Sequence, residues 1–244
     1  MTKNYPLILA HRGAKGLVKF ENTFEAFDKA LEVGADGIEL DVRKTKDNIL
    51  IINHDPSIND IIIKDKTYEE LLTITKSLGY ILPKFEDVLI KYGNITLLDI
   101  ELKETGYEEE IITLTTKYLS YDKYFIKSFR KSSIIKIKEL DKNIKTSLLI
   151  GERYNEDGIL GRFYEVFPKK LLKKTNCDVL SPNRLLLILN YLKRVSKYNI
   201  PINVWTVNEE KELRNLMKSK YCPKYIITNY PDLAIKIREE IYKK

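Results

Sequence analysis

From Leu7 to Tyr242 short apolar runs alternate with amphipathic stretches, and that alternation restricts the fold more than any single motif does. Strand-like runs fall at Leu7–His11, Gly37–Val42, Ile49–Asn53, Thr96–Leu102, Tyr124–Phe129, Lys145–Ile150, Asp178–Ser181, Ile202–Thr206 and Tyr225–Thr228. Helical stretches lie between most of them, at Thr23–Val33, Thr67–Ile74, Phe85–Tyr92, Glu108–Tyr118, Ser132–Leu140, Tyr164–Lys173, Leu185–Lys197, Glu209–Lys218 and Asp232–Tyr242. Strands alternating with helices build βαβ units and hence a parallel sheet. One pair breaks the pattern. Only Arg43 to Asn48 separate Gly37–Val42 from Ile49–Asn53, too few residues for a parallel crossover. Lys46-Asp47-Asn48 reads as a turn, so the pair is a hairpin with Asp41 roughly opposite Asn53.

Setting that return strand aside leaves eight strands, and a barrel of eight βα units takes about 250 residues. The expected fold is therefore α/β: a (β/α)8 TIM barrel with an added β-hairpin strand and a short insertion after it. No Pro/Gly/Ser-rich linker divides the chain, which predicts one domain over residues 1–244. A hydrophobic fraction of 43% is ample for a core.

Other features exclude function classes. The basic excess, 42 Lys and Arg against 35 Asp and Glu, is read as a solvated lysine-rich surface with the lysines scattered along the chain. No zinc knuckle, basic helix or RNP-like segment supports nucleic-acid binding. The longest apolar stretch, Leu185–Leu189, is far below a membrane span, so stable membrane insertion is not expected. Cys177 and Cys222 are isolated and read as reduced thiols, and Met1 to Pro6 leave no room for a leader, which together predict a cytoplasmic protein. Neither a glycine-rich phosphate loop nor a G-x-S-x-G elbow is present.

What remains is a set of polar residues at strand ends. The two histidines, His11 and His54, each close an apolar run. Glu39 and Asp41 are spaced i, i+2, as are Glu101 and Lys103, and on a strand that spacing puts both side chains on one face. In an eight-stranded barrel the C-terminal strand ends converge on one face, where active sites sit. Glu39, Asp41 and Glu101 together offer three hard oxygen ligands, suited to Ca2+ or Mg2+ rather than zinc. Arg12 and Lys103 supply positive charge for a phosphate. Asp99, one layer deeper, reads as structural.

The segments His11-Arg12-Gly13, Glu21-Asn22-Thr23, Gly37–Val42, His54-Asp55, Pro83–Asp87, Glu101-Leu102-Lys103, Trp205–Asn208 and Thr228–Asp232 appear in order along the chain. Together they resemble the glycerophosphodiester phosphodiesterase family, which belongs with the phosphatidylinositol-phospholipase-C-like barrels. The resemblance implies one divalent ion, Ca2+ or Mg2+, on Glu39, Asp41 and Glu101. It implies His11 and His54 as an acid–base pair, Arg12 and Lys103 on the phosphate, and a small glycerophosphodiester as substrate. The attacking group, water or the glycerol's own hydroxyl, stays open, as does the division of roles between the histidines. Alternatives are phospholipase-D-like cleavage or cyclising transfer on lysolipids or sphingolipids, and a silent phosphoester-binding barrel.

Further residues carry two readings each. Asn22 either caps the helix from Thr23 or touches phosphate. Glu21 lies near the ion or only before the cap, and Asp55 orients its neighbours or ligates. Trp205 is a pocket wall, able to meet a choline headgroup by a cation–π contact, or barrel filler. The aromatic stretch Arg162–Phe167 reads as helix core rather than as a lipid-binding patch. Two departures from the family pattern stand out: Asn229, where Asp is common, and the short segment between Asp55 and Pro83.

Overall fold

The computed structural model describes residues 5–151 and 158–242. Its strands are β1 (Leu7–Ala10), β2 (Gly37–Lys44), β3 (Leu50–Ile52), β4 (Ser57–Ile58), β5 (Ile61–Ile62), β6 (Leu97–Leu102), β7 (Tyr124–Ser128), β8 (Thr146–Ile150), β9 (Val179–Pro182), β10 (Asn203–Val204) and β11 (Tyr225–Thr228). Eight of them run parallel in the order β10-β11-β1-β2-β6-β7-β8-β9. Parallel bridges Leu180↔Ile202 and Asn183↔Trp205 then join the two ends into a nearly closed barrel. The helices are α1 (Phe24–Glu32), α2 (Tyr68–Leu78), α3 (Phe85–Tyr92), α4 (Glu108–Tyr118), α5 (Lys131–Leu140), α6 (Gly158–Val166), α7 (Lys169–Thr175), α8 (Tyr191–Ser196), α9 (Glu210–Lys218) and α10 (Pro231–Tyr242).

Alternation along each strand decides what faces the barrel interior. Ile38, Leu40 and Val42 of β2 pack outward with Phe27 of α1 and Phe85 and Val88 of α3. Glu39 and Asp41 therefore point inward. Inside the barrel, Leu9, Phe125 and Ile227 form an apolar floor. Each lies two residues before a polar residue higher in the barrel, namely His11, Lys127 and Asn229. Burying each such side chain contributes about 1.5–3 kcal/mol, so the floor also anchors the layer above it.

The expected hairpin is present, with Val42↔Ile52 and Lys44↔Leu50 paired antiparallel. Asn53 N–H donates to the Asp41 carbonyl at 3.0 Å, the predicted opposition. After β3 the chain forms the short β4–β5 ribbon and α2, which share a small core of Ile51, Ile58, Ile63, Tyr68, Leu71 and Leu82. This is the predicted insertion.

Two predicted helices are corrected. The stretch 164–173 is two helices, because Pro168 lacks an N–H and its ring crowds the preceding turn. The stretch 185–197 opens with a 3-10 turn at Arg184–Leu186, and only Tyr191–Ser196 is α-helical. Leu189 (φ 51°) and Asn190 (φ 56°) take left-handed backbone that breaks the helix.

Candidate active site

At the C-terminal strand ends, one carboxylate oxygen each from Glu39, Asp41 and Glu101 lies within 4.8 Å of the others. Register explains it. Asp41 on β2 pairs with Glu101 on β6, neighbouring parallel strands lie about 4.8 Å apart, and Glu39 shares the face of Asp41. All three are buried, and Asp41 Oδ1 has no hydrogen-bond partner. Burying carboxylates costs several kcal/mol unless charge or a metal compensates. Three buried oxygens aimed at one point, one of them unsatisfied, fit a hard divalent cation.

Cations surround this trio. Lys103 Nζ is 2.7 Å from Glu101 and 3.4 Å from Asp41, and Arg12 Nε is 3.3 Å from Asp41. Burial alone would raise the Asp41 carboxyl, but Lys103 and Arg12 outweigh it and hold the group well below the usual range. For Glu101 burial wins and the carboxyl is pushed up.

Arg12 is seated by an unusual backbone. It has φ 53°, and Gly13 after it has φ 76°. A Cβ on Gly13 would come within 2.6 Å of Ala26, so only glycine fits the close approach of this loop to α1. The turn aims the Arg12 N–H at Glu39 Oε2, 2.8 Å away, and the guanidinium at Glu21, 2.7 Å away. Glu21 thus pairs with Arg12, and with Lys15, rather than joining the carboxylate trio.

Asn22 is not the helix cap. It has φ 56°, which turns its amide inward to donate to Asp41 Oδ2 at 2.9 Å. Thr23 caps α1 instead, accepting from Ala26 N–H at 3.2 Å.

Both histidines line one cavity of about 100 Å3, with Arg12, Glu39, Glu101, Lys103 and Trp205. A larger groove of about 650 Å3 beside Lys84, Glu86 and Glu109 gathers no such convergent set. His11 Nδ1 lies 2.6 Å from Asn229 Oδ1, and its Nε2 lies 4.0 Å from Glu39. Because an amide oxygen only accepts, this contact assigns a proton to Nδ1 and leaves Nε2 on the cavity side. His54 Nδ1 lies 2.8 Å from Asp55 Oδ1. Asp55 thus orients His54 and stands outside the carboxylate trio. Burial lowers both imidazoles, against the pull of Glu39 on His11 and of Asp41 on His54.

Trp205 is a cavity wall as expected, fixed by its indole N–H on the Ser181 carbonyl at 2.8 Å and by an edge contact with Phe129. Sequence reasoning missed two residues. Lys127, on β7 opposite Glu101, is 1% exposed, with Nζ 2.8 Å from Glu39 and 3.0 Å from Asp99. Asp99 is structural in this sense, held by Lys127 and by Asn203 at 3.1 Å. Burial pushes the Asp99 carboxyl up despite Lys127. The signal was a lone lysine in the apolar run Tyr124–Ser128. The other is Arg43, whose Nε and Nη2 hold the His54 carbonyl at 2.9 and 2.6 Å.

Comparison with known proteins matches residues 11–233 to the glycerophosphoryl diester phosphodiesterase family. A glycerophosphodiester phosphodiesterase of Bacillus altitudinis is 30% identical, the match covering 96% of this chain and 98% of that one. The crystal structure of the Thermotoga maritima glycerophosphodiester phosphodiesterase superposes with a TM-score of 0.80 at 26% identity, covering 96% of this chain and 99% of the other. A phosphodiesterase from Oleispira antarctica, solved with the product sn-glycerol-3-phosphate, shares the fold at TM-score 0.76 and 19% identity over 96% of each chain. Fold and sequence alike define a phosphoric diester hydrolase built on an α/β barrel. The chain belongs to the glycerophosphoryl diester phosphodiesterase family.

Proposed function

We propose that the chain hydrolyses glycerophosphodiesters such as glycerophosphocholine and glycerophosphoethanolamine to sn-glycerol 3-phosphate and an alcohol, with His11 and His54 exchanging the protons. The observation that carries this reading is the convergence of both imidazoles, Arg12, Lys103 and the buried carboxylate trio on one cavity. At about 100 Å3 it suits a phosphate rather than a whole diester, so both substituents extend toward the rim. Glu39, Asp41 and Glu101 would hold one Ca2+ or Mg2+, which supplies positive charge to the non-bridging phosphate oxygens.

Arg12 and Lys103 hold the phosphate, and Asn22, seated by its donation to Asp41 Oδ2, adds a polar contact to it. His11 Nε2 takes a proton from the attacking group as the new P–O bond forms, either water directly or the glycerol's own hydroxyl, in which case water then opens the cyclic phosphate. His54, whose Nδ1 rests on the Asp55 carboxylate, donates its proton to the alcohol oxygen as the old P–O bond breaks. An ionised carboxylate partner favours the protonated imidazole more than a neutral amide partner does, which divides the roles in this way. Trp205 closes one wall. Two free thiols, and no helix among the described residues long and apolar enough to cross a membrane, support a cytoplasmic site of action.

The test is release of glycerol 3-phosphate from glycerophosphocholine with Ca2+, Mg2+ or EDTA, for wild type and His11→Ala. Turnover that needs the ion and falls at least about 100-fold in His11→Ala is expected. Turnover undiminished by EDTA, or retained in His11→Ala, refutes the mechanism.

A further inference from the structure

Residues 158–197 contain nine Lys and Arg but two Asp and Glu, so the rest of the chain is balanced at 33 of each. The net charge of +7 therefore resides in one segment instead of being scattered. That segment also exposes Phe163 (55%), Phe167 (46%), Leu185 (68%), Ile188 (56%) and Leu189 (74%). The expectation that the aromatic stretch is helix core is thus corrected: Tyr164 and Val166 are half-buried, while both phenylalanines face water. Their ring centroids lie 4.9 Å apart with the planes tilted by 40°.

The apolar and basic groups form one surface. The Arg194 guanidinium lies 5.1 Å over the Phe167 ring and donates to the Leu189 carbonyl at 2.6 Å and the Val166 carbonyl at 3.2 Å. This clasp stabilises the left-handed turn at Leu189 and Asn190 beside the exposed Leu185, Ile188 and Leu189. Lys170 lies 4.8 Å over Tyr164, whose ring meets Phe163 edge-on. Lys169, Lys173, Lys174 and Lys193 are exposed, and no acidic side chain among the described residues pairs with them.

The surface borders the active-site rim. Gly151, directly after β8, donates to Glu165 of α6 at 3.1 Å, which ties that helix to the C-terminal end of β8. A Cβ on Gly151 would meet Asn183 and Leu186, and Arg184 N–H donates to the carbonyl of the cavity wall Trp205 at 2.6 Å.

We propose that this face docks on the surface of an anionic phospholipid bilayer, inserting Phe163, Phe167, Leu185, Ile188 and Leu189 among the headgroups while the surrounding lysines and arginines meet lipid phosphates. Exposed aromatic and aliphatic side chains ringed by cations are what an anionic interface selects, and each basic group near the surface adds attraction. A nucleic acid would use the charge but not the aliphatic residues. The inference is independent of the proposed reaction, since none of these residues touches the catalytic cavity.

The experiment is cosedimentation with vesicles of phosphatidylglycerol or of phosphatidylcholine, for wild type, Phe163→Ser/Phe167→Ser and Lys169→Glu/Lys170→Glu/Lys193→Glu, with His11→Ala as a control. Wild type and His11→Ala are expected to pellet with phosphatidylglycerol, to do so at least about tenfold less with phosphatidylcholine, and to be released by raised salt. Each multiple variant is expected to lose about tenfold or more in partitioning. Far-ultraviolet circular dichroism reports whether the variants fold. No binding to phosphatidylglycerol, equal binding to both lipids, or undiminished binding by the variants overturns the proposal. Lipid-free self-association abolished by Phe163→Ser/Phe167→Ser also overturns it, assigning the face to a second copy of the chain. The salt and lipid arms on wild type decide the matter even if a variant fails to fold.

Discussion

Replacing Asn229 by Asp places a carboxylate where the amide oxygen now sits, 2.6 Å from His11 Nδ1. His11 lies below its usual value because burial outweighs the pull of Glu39, and its hydrogen-bond partner is neutral. Two unit charges about 4 Å apart attract by about 4 kcal/mol at an effective dielectric of about 20. Part of that is lost because the new carboxylate is itself partly desolvated and feels Arg12. A net effect of about 1.4–2.8 kcal/mol, or about 1–2 pKa units, remains for the imidazole. With His11 as the base, the acidic limb of kcat/KM reports its protonation in the free enzyme, and Asn229→Asp moves that limb upward by the same amount. The assay is the pH dependence of kcat/KM for glycerophosphocholine, alongside NMR titration of the two imidazoles, told apart by the loss of one signal in His11→Ala. A limb that moves by less than about 0.3 units while the His11 resonance shifts by about 1 or more refutes the assignment of His11 as the base. If neither moves, the Asn229 contact itself is refuted.

Lys127→Met leaves Glu39 and Asp99 without their shared ammonium and should destabilise the metal-free protein by about 3–5 kcal/mol in urea unfolding. Adding Asp99→Leu to Lys127→Met should recover part of that loss, and a double variant no more stable than the single one counts against the pairing. Glu108, buried and accepting from Ser133 Oγ at 2.6 Å, has its carboxyl lowered: burial opposes, but the Ser133 and backbone hydrogen bonds outweigh it. A depressed folded value means its contribution is present above the ordinary 4.5 and is lost as pH falls through the folded value. Glu108→Gln should therefore flatten the acid limb of the stability curve below about pH 5 and leave its neutral region parallel, measured by urea midpoints from about pH 3 to 7. An unchanged acid limb refutes it.

The architecture was legible because its signals are local and periodic. The two-residue period put Glu39 with Asp41 and Glu101 with Lys103, and a six-residue link allowed only a hairpin, which brought Asn53 to Asp41. Lys127 escaped because a lysine in an apolar run looks the same whether it reaches water or a carboxylate, and its partners lie on β2 and β6. The cap falls on Thr23 rather than on Asn22 because the left-handed backbone at Asn22 is imposed by the loop that seats Arg12, not by its own neighbours.

By itself the sequence determined the βα alternation, the hairpin and the identity of the polar residues at the strand ends, since side-chain periodicity and turn chemistry act over a few residues. Tertiary structure alone decided that Asn229, distant in the chain, faces His11, that Lys127 neutralises Glu39 and Asp99, and that Phe163 and Phe167 lie outside. Those outcomes depend on which strands adjoin in a closed barrel and on where Pro168 turns the chain, and contacts between distant segments carry no local signature.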